Sequence, residues 1–525
     1  MSGIQAQKRR RRKQMLERHR RRVLRRLAHR HGEVRSTPML AARNIHYELA
    51  GRTTALGAGG IGAMHLLAQR VGLIEAIDSQ VQLLKIHQPY HESDHVLNIA
   101  YNALCGGRCL EDIELRRQDE AYLNGLGARR VPDPTTAGDF CRRFTEADVL
   151  TLMDAINQVR VRVWQQQPAS FFEEAVIEAD GAMTATTGEC KAGMDISYKG
   201  EWGYHPLVIS LANTGEVLFV VNRPGNRPSH EGAAAYLDRA AQLCREAGFK
   251  RIRFRGDSDF TQTRHLDGWD KATPGTGKIR FVFGMDAMPN LVKIAETLPQ
   301  SKWAALERGP RYKVKTEPRA RPDNVKEQIV RQRQFKNIRL QSEDVAEFDY
   351  QPVACRKSYR MVVVRKNLSI EKGEQRLFDE VRYFFYLTNV PGGAMSASQV
   401  VFDANDRCDQ ENLIAQLKAV RGLYAPVDNL VSNWAYMVMA SLAWTLKAWF
   451  ALSLPESRRW RGKHQAEKRT LLRMEFRTFV NRFIHVPCQI VKTGRRVIFR
   501  LLAWNPWQDV FLRTVDALRC RPMRC

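Results

Sequence analysis

The spacing of apolar positions changes period several times along the chain. From about residue 60 to 165 apolar residues recur at helical intervals, as in Met64-His-Leu-Leu and Val96-Leu-Asn-Ile-Ala, with breaks at Gly106-Gly107 and Pro132-Asp-Pro134. That region is expected to be helical. From Ala175 the pattern turns to strands. Ala175 to Asp180 reads as a short buried strand ending at a carboxylate and Gly181. Gly188 to Gly203 is a charged, glycine-rich loop. Tyr204 to Ser210 and Glu216 to Asn222 form a hairpin about Asn213-Thr-Gly215. Asn226-Arg-Pro-Ser229 opens a helix with Ser229 as N-cap, and Gly248 closes it after Ala247. Lys250 to Asp257 is a strand that also ends at a carboxylate, and Lys278 to Phe283 is another.

Between Asp286 and about Val400 the chain is basic and strand-rich, with Tyr312-Lys-Val-Lys-Thr, the cationic stretch Arg319 to Arg339, Tyr359 to Arg365 and Val381 to Asn389. Strands of that length make a β-subdomain, read as an insertion and not a linker. A helix around Glu411 follows. The apolar run Val431 to Leu454 has its aromatics spread through it and not gathered at two ends, so it is read as a buried core helix. Arg458 to Arg477 and Lys492 to Arg500 make a second basic helical region. Three strands, a helix and a further strand, with aspartates at two strand ends, point to an α/β sheet of ribonuclease-H type, whose chemistry lies at the carboxyl ends of strands.

Charge adds a partner to this picture. Over 525 residues, 83 Lys and Arg face 56 Asp and Glu, a net charge of +27. Such an excess favours a polyanion, most simply nucleic acid, over an anionic membrane surface. Lys8 to Arg30 alone holds 13 Lys or Arg against one Glu, including Arg9, Arg10, Arg11 and Arg12. Leu16, Val23, Leu24 and Leu27 fall at helical intervals there, so this arm is expected to be disordered when free and to fold on a phosphate backbone without choosing a sequence. Basic residues alternating with Trp303, Tyr312, Phe335 and Tyr359 suit a surface that holds DNA backbone and stacks an unpaired base; aromatics that simply pack on edge strands look the same. The ten cysteines form no Cys-x-x-Cys pair, so neither a zinc site nor a disulfide framework is implied, and no secretory signal is visible. Gly57-x-Gly59-x-x-Gly62 matches the dinucleotide string, but no strand precedes it and no βαβ unit follows.

Candidate chemistry lies in three carboxylates. On a helix Arg407 and Glu411 lie about 40° apart, and Lys418 returns to nearly the same azimuth, so one face carries a carboxylate between two cations. A solvated face laced with ion pairs has the same spacing. If the sheet forms, Asp180 and Asp257 at strand ends can meet Glu411. Three carboxylates around two divalent ions about 3.5–4 Å apart can activate a water or a 3′-hydroxyl and steady the leaving oxygen in phosphoryl transfer. Hard oxygen ligands select Mg²⁺, or Mn²⁺ as a substitute, over zinc. Glu178 and Asp259 share a strand face with Asp180 and Asp257, respectively, and are rivals, as are Asp195 and Asp286 at greater distance. His205 and His230 are either substrate contacts or structural.

Together, Asp180-Gly, Gly193-Met-Asp-Ile-Ser-Tyr-Lys-Gly-Glu-Trp-Gly-Tyr-His-Pro-Leu207, Asn226-Arg-Pro-Ser-His-Glu-Gly232, Arg255-Gly-Asp-Ser-Asp-Phe260 and the Arg407/Glu411/Lys418 spacing resemble the DDE transposases of bacterial insertion sequences, within them the family numbered 1380 of the group numbered 4. The resemblance implies a ribonuclease-H-like catalytic core interrupted by a β-strand insertion. It implies Asp180, Asp257 and Glu411 as catalytic, metal-holding residues, and Arg407 and Lys418 as cations on DNA phosphates. The group's tyrosine three residues before the arginine is Ala404 here, so its contact is missing or supplied by another residue.

The expected organisation is a basic DNA-binding arm (1–50), a helical DNA-binding and dimerisation region (51–170), the core's first part (171–290), a β-strand insertion (291–400), the core's second part (401–455) and a basic helical C-terminal region (456–525). The expected activity is Mg²⁺-dependent cleavage and strand transfer at the terminal inverted repeats of an element. A homodimer on double-stranded DNA, away from membranes and in the bacterial cytoplasm with the nucleoid, would carry it out. A DNA-binding relic without catalysis and a stand-alone nuclease are the alternatives.

Overall fold

The computed structural model describes residues 3–27, 46, 54–87, 89–272, 277–309, 324–373, 375–493 and 496–520. Helices occupy most of 61–164, ending in α1 (Glu146–Trp164), whose Thr145 N-cap and Asp148 form a capping box. The central sheet follows in chain order as β1 (Ala175–Gly181), β2 (Leu207–Leu211), β3 (Glu216–Val221), α2 (Ala233–Ala247), β4 (Ile252–Gly256), β5 (Ile279–Met285), β6 (Ala304–Ala305), β7 (Lys336–Tyr350), β8 (Tyr359–Lys372) and β9 (Gln375–Thr388). Three helices complete it: α3 (Ala397–Asn405), α4 (Cys408–Ala419) and α5 (Leu430–Leu452).

These nine strands lie in the order β6-β7-β8-β9-β5-β4-β1-β2-β3. The middle three, β1, β4 and β5, are parallel; every other pairing is antiparallel. Parallel neighbours need both faces covered, and β1 is accordingly buried at Ala175, Ile177, Glu178 and Ala179. The register pairs Glu178 with Arg255, which carries Asp180 and Asp257 to the same level at adjacent strand ends.

Strands β7, β8 and β9 continue this sheet through β9 against β5 and do not form a sheet of their own. Tyr312 to Thr316 and the first part of Arg319 to Arg339 lie outside the described residues. Of the aromatics expected to face DNA, Tyr359 is buried and donates its hydroxyl to Asp267, and Trp303 lies under the Arg365 guanidinium, 4.3 Å from the ring centroid. Phe335 alone of the described three is exposed.

Two local expectations are corrected. Ser229 does not cap a helix: α2 starts after Gly232, whose φ of 73° is left-handed, because Arg223 draws the carbonyls of Pro228, Ser229 and Glu231 into a folded turn ahead of it. Lys492 to Arg500 is not helical: Cys488–Thr493 and Arg496–Leu501 pair as a hairpin, which Ala55–Leu56 extends to three strands. Its β-branched residues outweigh its charges. Against this hairpin Gly59 and Gly60 give their N–H groups to Val486 and Ile484, and a Cβ on Gly60 would stand 1.8 Å from the Phe483 carbonyl. The glycine string therefore serves close backbone approach.

The basic arm is a helix, Gly3–Leu27, whose Arg12 pairs with Asp516 of the helix Gln508–Cys520 (Nη2–Oδ1 2.9 Å). Arg10 and Arg11 are exposed, and the side chain of Arg9 lies outside the described residues. Cys105 follows the helix Glu92–Leu104 as its cap, buried with its thiol pushed up to about 12 by desolvation, which is inert chemistry.

Helix α5 is long and apolar enough to cross a bilayer and is wholly buried within the protein. It covers the sheet's edge: Trp434 and Trp444 donate their indole N–H groups to the Val220 and Gly215 carbonyls of β3 and its approach. Lys447 on this helix is buried, with Nζ donating to the Leu472 carbonyl at 3.1 Å and lying 4.3 Å from the Trp444 ring centroid. Desolvation brings its pKa down to about 7. Between that value and about 10.4 the unfolded lysine holds a proton that the folded one has lost, so this group makes stability rise with pH across that window. Lys447→Met is expected to raise the melting temperature at pH 6.5 and to remove part of the rise between pH 7 and 9.5, as thermal unfolding at the two pH values would show.

Candidate active site

Asp180 closes β1 and Asp257 follows β4, and the parallel register sets them side by side. Asp257 accepts the Asp259 N–H at 3.0 Å, opening a 3₁₀ turn over Ser258–Phe260 that ends the strand. Helix α4 brings in the third carboxylate. Its buried face is Gln410, Leu413, Ile414 and Leu417, and Gln410 donates to the Val208 carbonyl of β2 at 3.0 Å while accepting the Ser210 hydroxyl. The flank of that face turns Arg407 and Glu411 to the strand ends. Arg407 Nη1 stands 3.0 Å from Glu411 Oε1 and 3.6 Å from Asp257 Oδ2.

Electrostatics bind the group together. Burial raises the pKa of Asp180 to about 7, and the charges of Asp257 and Glu411 add to the rise. Burial also raises Asp257, with Arg407 opposing and Asp259 and Glu411 reinforcing it. Lys418 is held below the usual lysine value by desolvation, against the pull of Glu201 and Asp180. Of the five residues expected at the site, Arg407 contacts Asp257 and Glu411, while Asp180 and Lys418 are linked to the group through charge.

Of the rivals, Glu178 is taken up in structure. It pairs with Arg255 at 2.6 Å, and Arg255 and Arg253 both reach Asp403 of α3, at 3.2 and 2.8 Å. Asp259 and Asp286 are exposed, and Asp195 lies in a separate small sheet. Of two further neighbours, His205 is open in the sequence between substrate contact and structure, and Tyr386 carries no sequence signal. His205 presses on the turn after Asp180, where a Cβ on Gly181 would meet its Cε1 at 2.5 Å; burial, Arg223 and Lys418 lower its pKa to about 4, so it is neutral at pH 7. Tyr386 of β9 packs against the buried cluster of Val400, Val401 and Ala404 and feels the charge of Arg407. A phenol therefore stands near the place where Ala404 has none.

Among the described residues no three carboxylate, imidazole or thiol groups are drawn close enough to enclose an ion. Arg407 lies between Asp257 and Glu411 in this arrangement. The donor set still suits a hard divalent cation: three carboxylates, no thiol, and one member lifted to about 7 by burial and its acidic neighbours. In chelator the sign of the Asp180 effect can be read. A folded pKa of about 7 against about 3.9 unfolded means that stability falls as pH rises from 4 to 7. Asp180→Asn is expected to raise the melting temperature at pH 8 and to change it little at pH 4.

A mixed sheet with two strand-end aspartates, a helix-borne glutamate and attendant cations defines an α/β protein with an acidic cluster at its strand ends. Residues 37–523 match the family described as Transposase DDE domain group 1. The chain belongs to that DDE transposase family, whose members generally use divalent metals. Among solved structures it is similar to a piggyBac transposase in a synaptic complex with hairpin DNA, at 11% identity over 81% of this chain and 85% of that one, with a TM-score of 0.34. No curated protein matches.

Proposed function

We propose that this protein is the transposase of a bacterial insertion sequence, of the family numbered 1380 in the group numbered 4, acting on the terminal inverted repeats of its element. The observation that carries the reading is the placing of Asp180 and Asp257 side by side at the ends of adjacent parallel strands, with Arg407 linking Asp257 to Glu411 of α4. The strand order β3-β2-β1-β4-β5 supports a ribonuclease-H-like core, with β7 to β9 as the insertion. Asp180 and Asp257 would hold Mg²⁺ as two ions, with Glu411 completing the site. The bound metal supplies Lewis acidity and a more acidic water or 3′-hydroxyl. Arg407 and Lys418 hold the phosphate at the strand ends, and Arg407 exchanges its carboxylate partners for phosphate oxygens as DNA enters. Two copies pair two ends in the bacterial cytoplasm, on the nucleoid.

Incubating the protein with a labelled duplex carrying its element's end, a target plasmid and Mg²⁺ tests this. Cutting at the end and joining to the plasmid is the expected result. Cutting without joining means a nuclease, and binding without cutting, in Mg²⁺ or Mn²⁺, means a DNA-binding relic. The N-terminal helix supplies phosphate contacts in this reading. Deleting residues 1–31 is expected to weaken binding to all DNA and flatten its salt dependence while preserving preference for the end, measured by titration across salt.

A further inference from the structure

The chain between β1 and β2, legible only as a loop, is a small antiparallel sheet in which Thr184–Ala185 and Asp195–Ile196 both pair with Trp202–Tyr204. Its root is fixed. Thr184 and Tyr204 are buried, the Tyr204 hydroxyl donates to the Ala192 carbonyl at 2.9 Å, and Ala192 N–H donates to Asp428 at 2.8 Å. Lys191 Nζ donates to the Val427 carbonyl at 2.6 Å, and a Cβ on Gly225 would come within 2.3 Å of the Asp195 carbonyl.

Its tip is a defined turn. Ser197 N–H donates to the Glu201 carbonyl at 2.8 Å, Gly200 N–H to Ser197 at 2.9 Å, and Gly200 takes a left-handed φ of 81°. Yet the tip holds three large apolar side chains in water: Tyr198 is 93% exposed, Trp202 52% and Ile196 41%. Ile196 and Trp202 are a directly opposed cross-strand pair, and Lys199 stands 5.4 Å from the Tyr198 ring centroid. Folding gives no reason for this exposure, since the same face is buried at the root.

Position supplies the reason. The hairpin springs from the end of β1, just past Asp180, and its Glu201 acts on Lys418 together with Asp180. The hairpin starts at Thr184 and returns at His205, whose ring lies against Gly181, so the element that carries the aromatic tip is rooted beside Asp180. We propose that this hairpin is a wedge whose Tyr198 and Trp202 stack on a nucleobase unpaired beside the phosphodiester held at the carboxylates. The proposal rests on the transposase reading. Aromatic faces accept any base, which suits a fixed geometry at the cut, and Lys199 and Lys418 favour a polyanion as the occupant. The ring expected for this task at Tyr359 is buried.

The test compares wild type with the double variant Tyr198→Ala, Trp202→Ala on two end duplexes in Mg²⁺, one fully paired and one mismatched at the nucleotide flanking the cut. The variant is expected to cut the paired duplex at least about tenfold more slowly and the mismatched one within about threefold of wild type, with binding nearly unchanged. Equal rates on the paired duplex overturn the wedge and leave the transposase reading standing. Equal slowing on both duplexes overturns it in favour of a structural role, and loss of a dimer that wild type forms overturns it in favour of docking a second copy. If wild type cuts neither duplex, the transposase reading itself fails.

Discussion

Glu411→Gln is expected to abolish strand cleavage, lowering the rate by roughly 10³-fold or more, about 4 kcal/mol of barrier, while end binding survives. The amide keeps the size of the side chain, and α4 stays seated through Gln410, Leu413 and Leu417, which the change does not touch. What is lost is the negative charge that faces Arg407 at 3.0 Å and completes the three-carboxylate centre. Arg407 then pairs with Asp257 alone, so the cation is retained for phosphate and binding is not weakened. Rates of end cleavage beside a filter-binding titration separate the two effects.

The second large effect lies away from the site. Glu216 at the start of β3 and Arg160 of α1 are fully buried and paired at 3.1 Å. The carboxylate also accepts from Trp164 and Trp449, each at 2.8 Å, and from Thr214 at 2.7 Å, while Arg160 donates to the Val217 carbonyl at 2.6 Å. This knot ties α1, the edge strand and α5 together. Arg160→Ala leaves a buried carboxylate without its counter-charge and is expected to cost about 3–5 kcal/mol in urea unfolding. Arg160→Met combined with Glu216→Leu is expected to recover most of that loss, because no charge is then left buried.

The knot was invisible in the sequence because its members lie in three elements with no fixed spacing between them. The candidate residues were legible for the opposite reason. Asp180 and Asp257 stand next to a glycine at strand ends and Arg407 and Glu411 one helical turn apart, so local periodicity places them, while the family resemblance, not periodicity, prefers them to Glu178 and Asp259. What periodicity does not fix is pairing. That β7 to β9 would extend the same sheet depended on β9 meeting β5, a contact between distant segments. Lys492 to Arg500 was misread because dense cations hid a β-branched alternation, and the Tyr198 hairpin was hidden because its strands are two and three residues long. The choice for His205 between substrate contact and structure stays open in the sequence because only the fold of Gly181 against its ring sets it beside Asp180.

The most direct test of the central claim is end cleavage by Asp180→Asn and Asp257→Asn beside Asp259→Asn, each with its DNA affinity measured. The first two are expected to bind and not cut, and Asp259→Asn to cut at a rate close to wild type. Cleavage that survives Asp257→Asn and disappears with Asp259→Asn would contradict the account, since the strand-end pair would then not be the catalytic one.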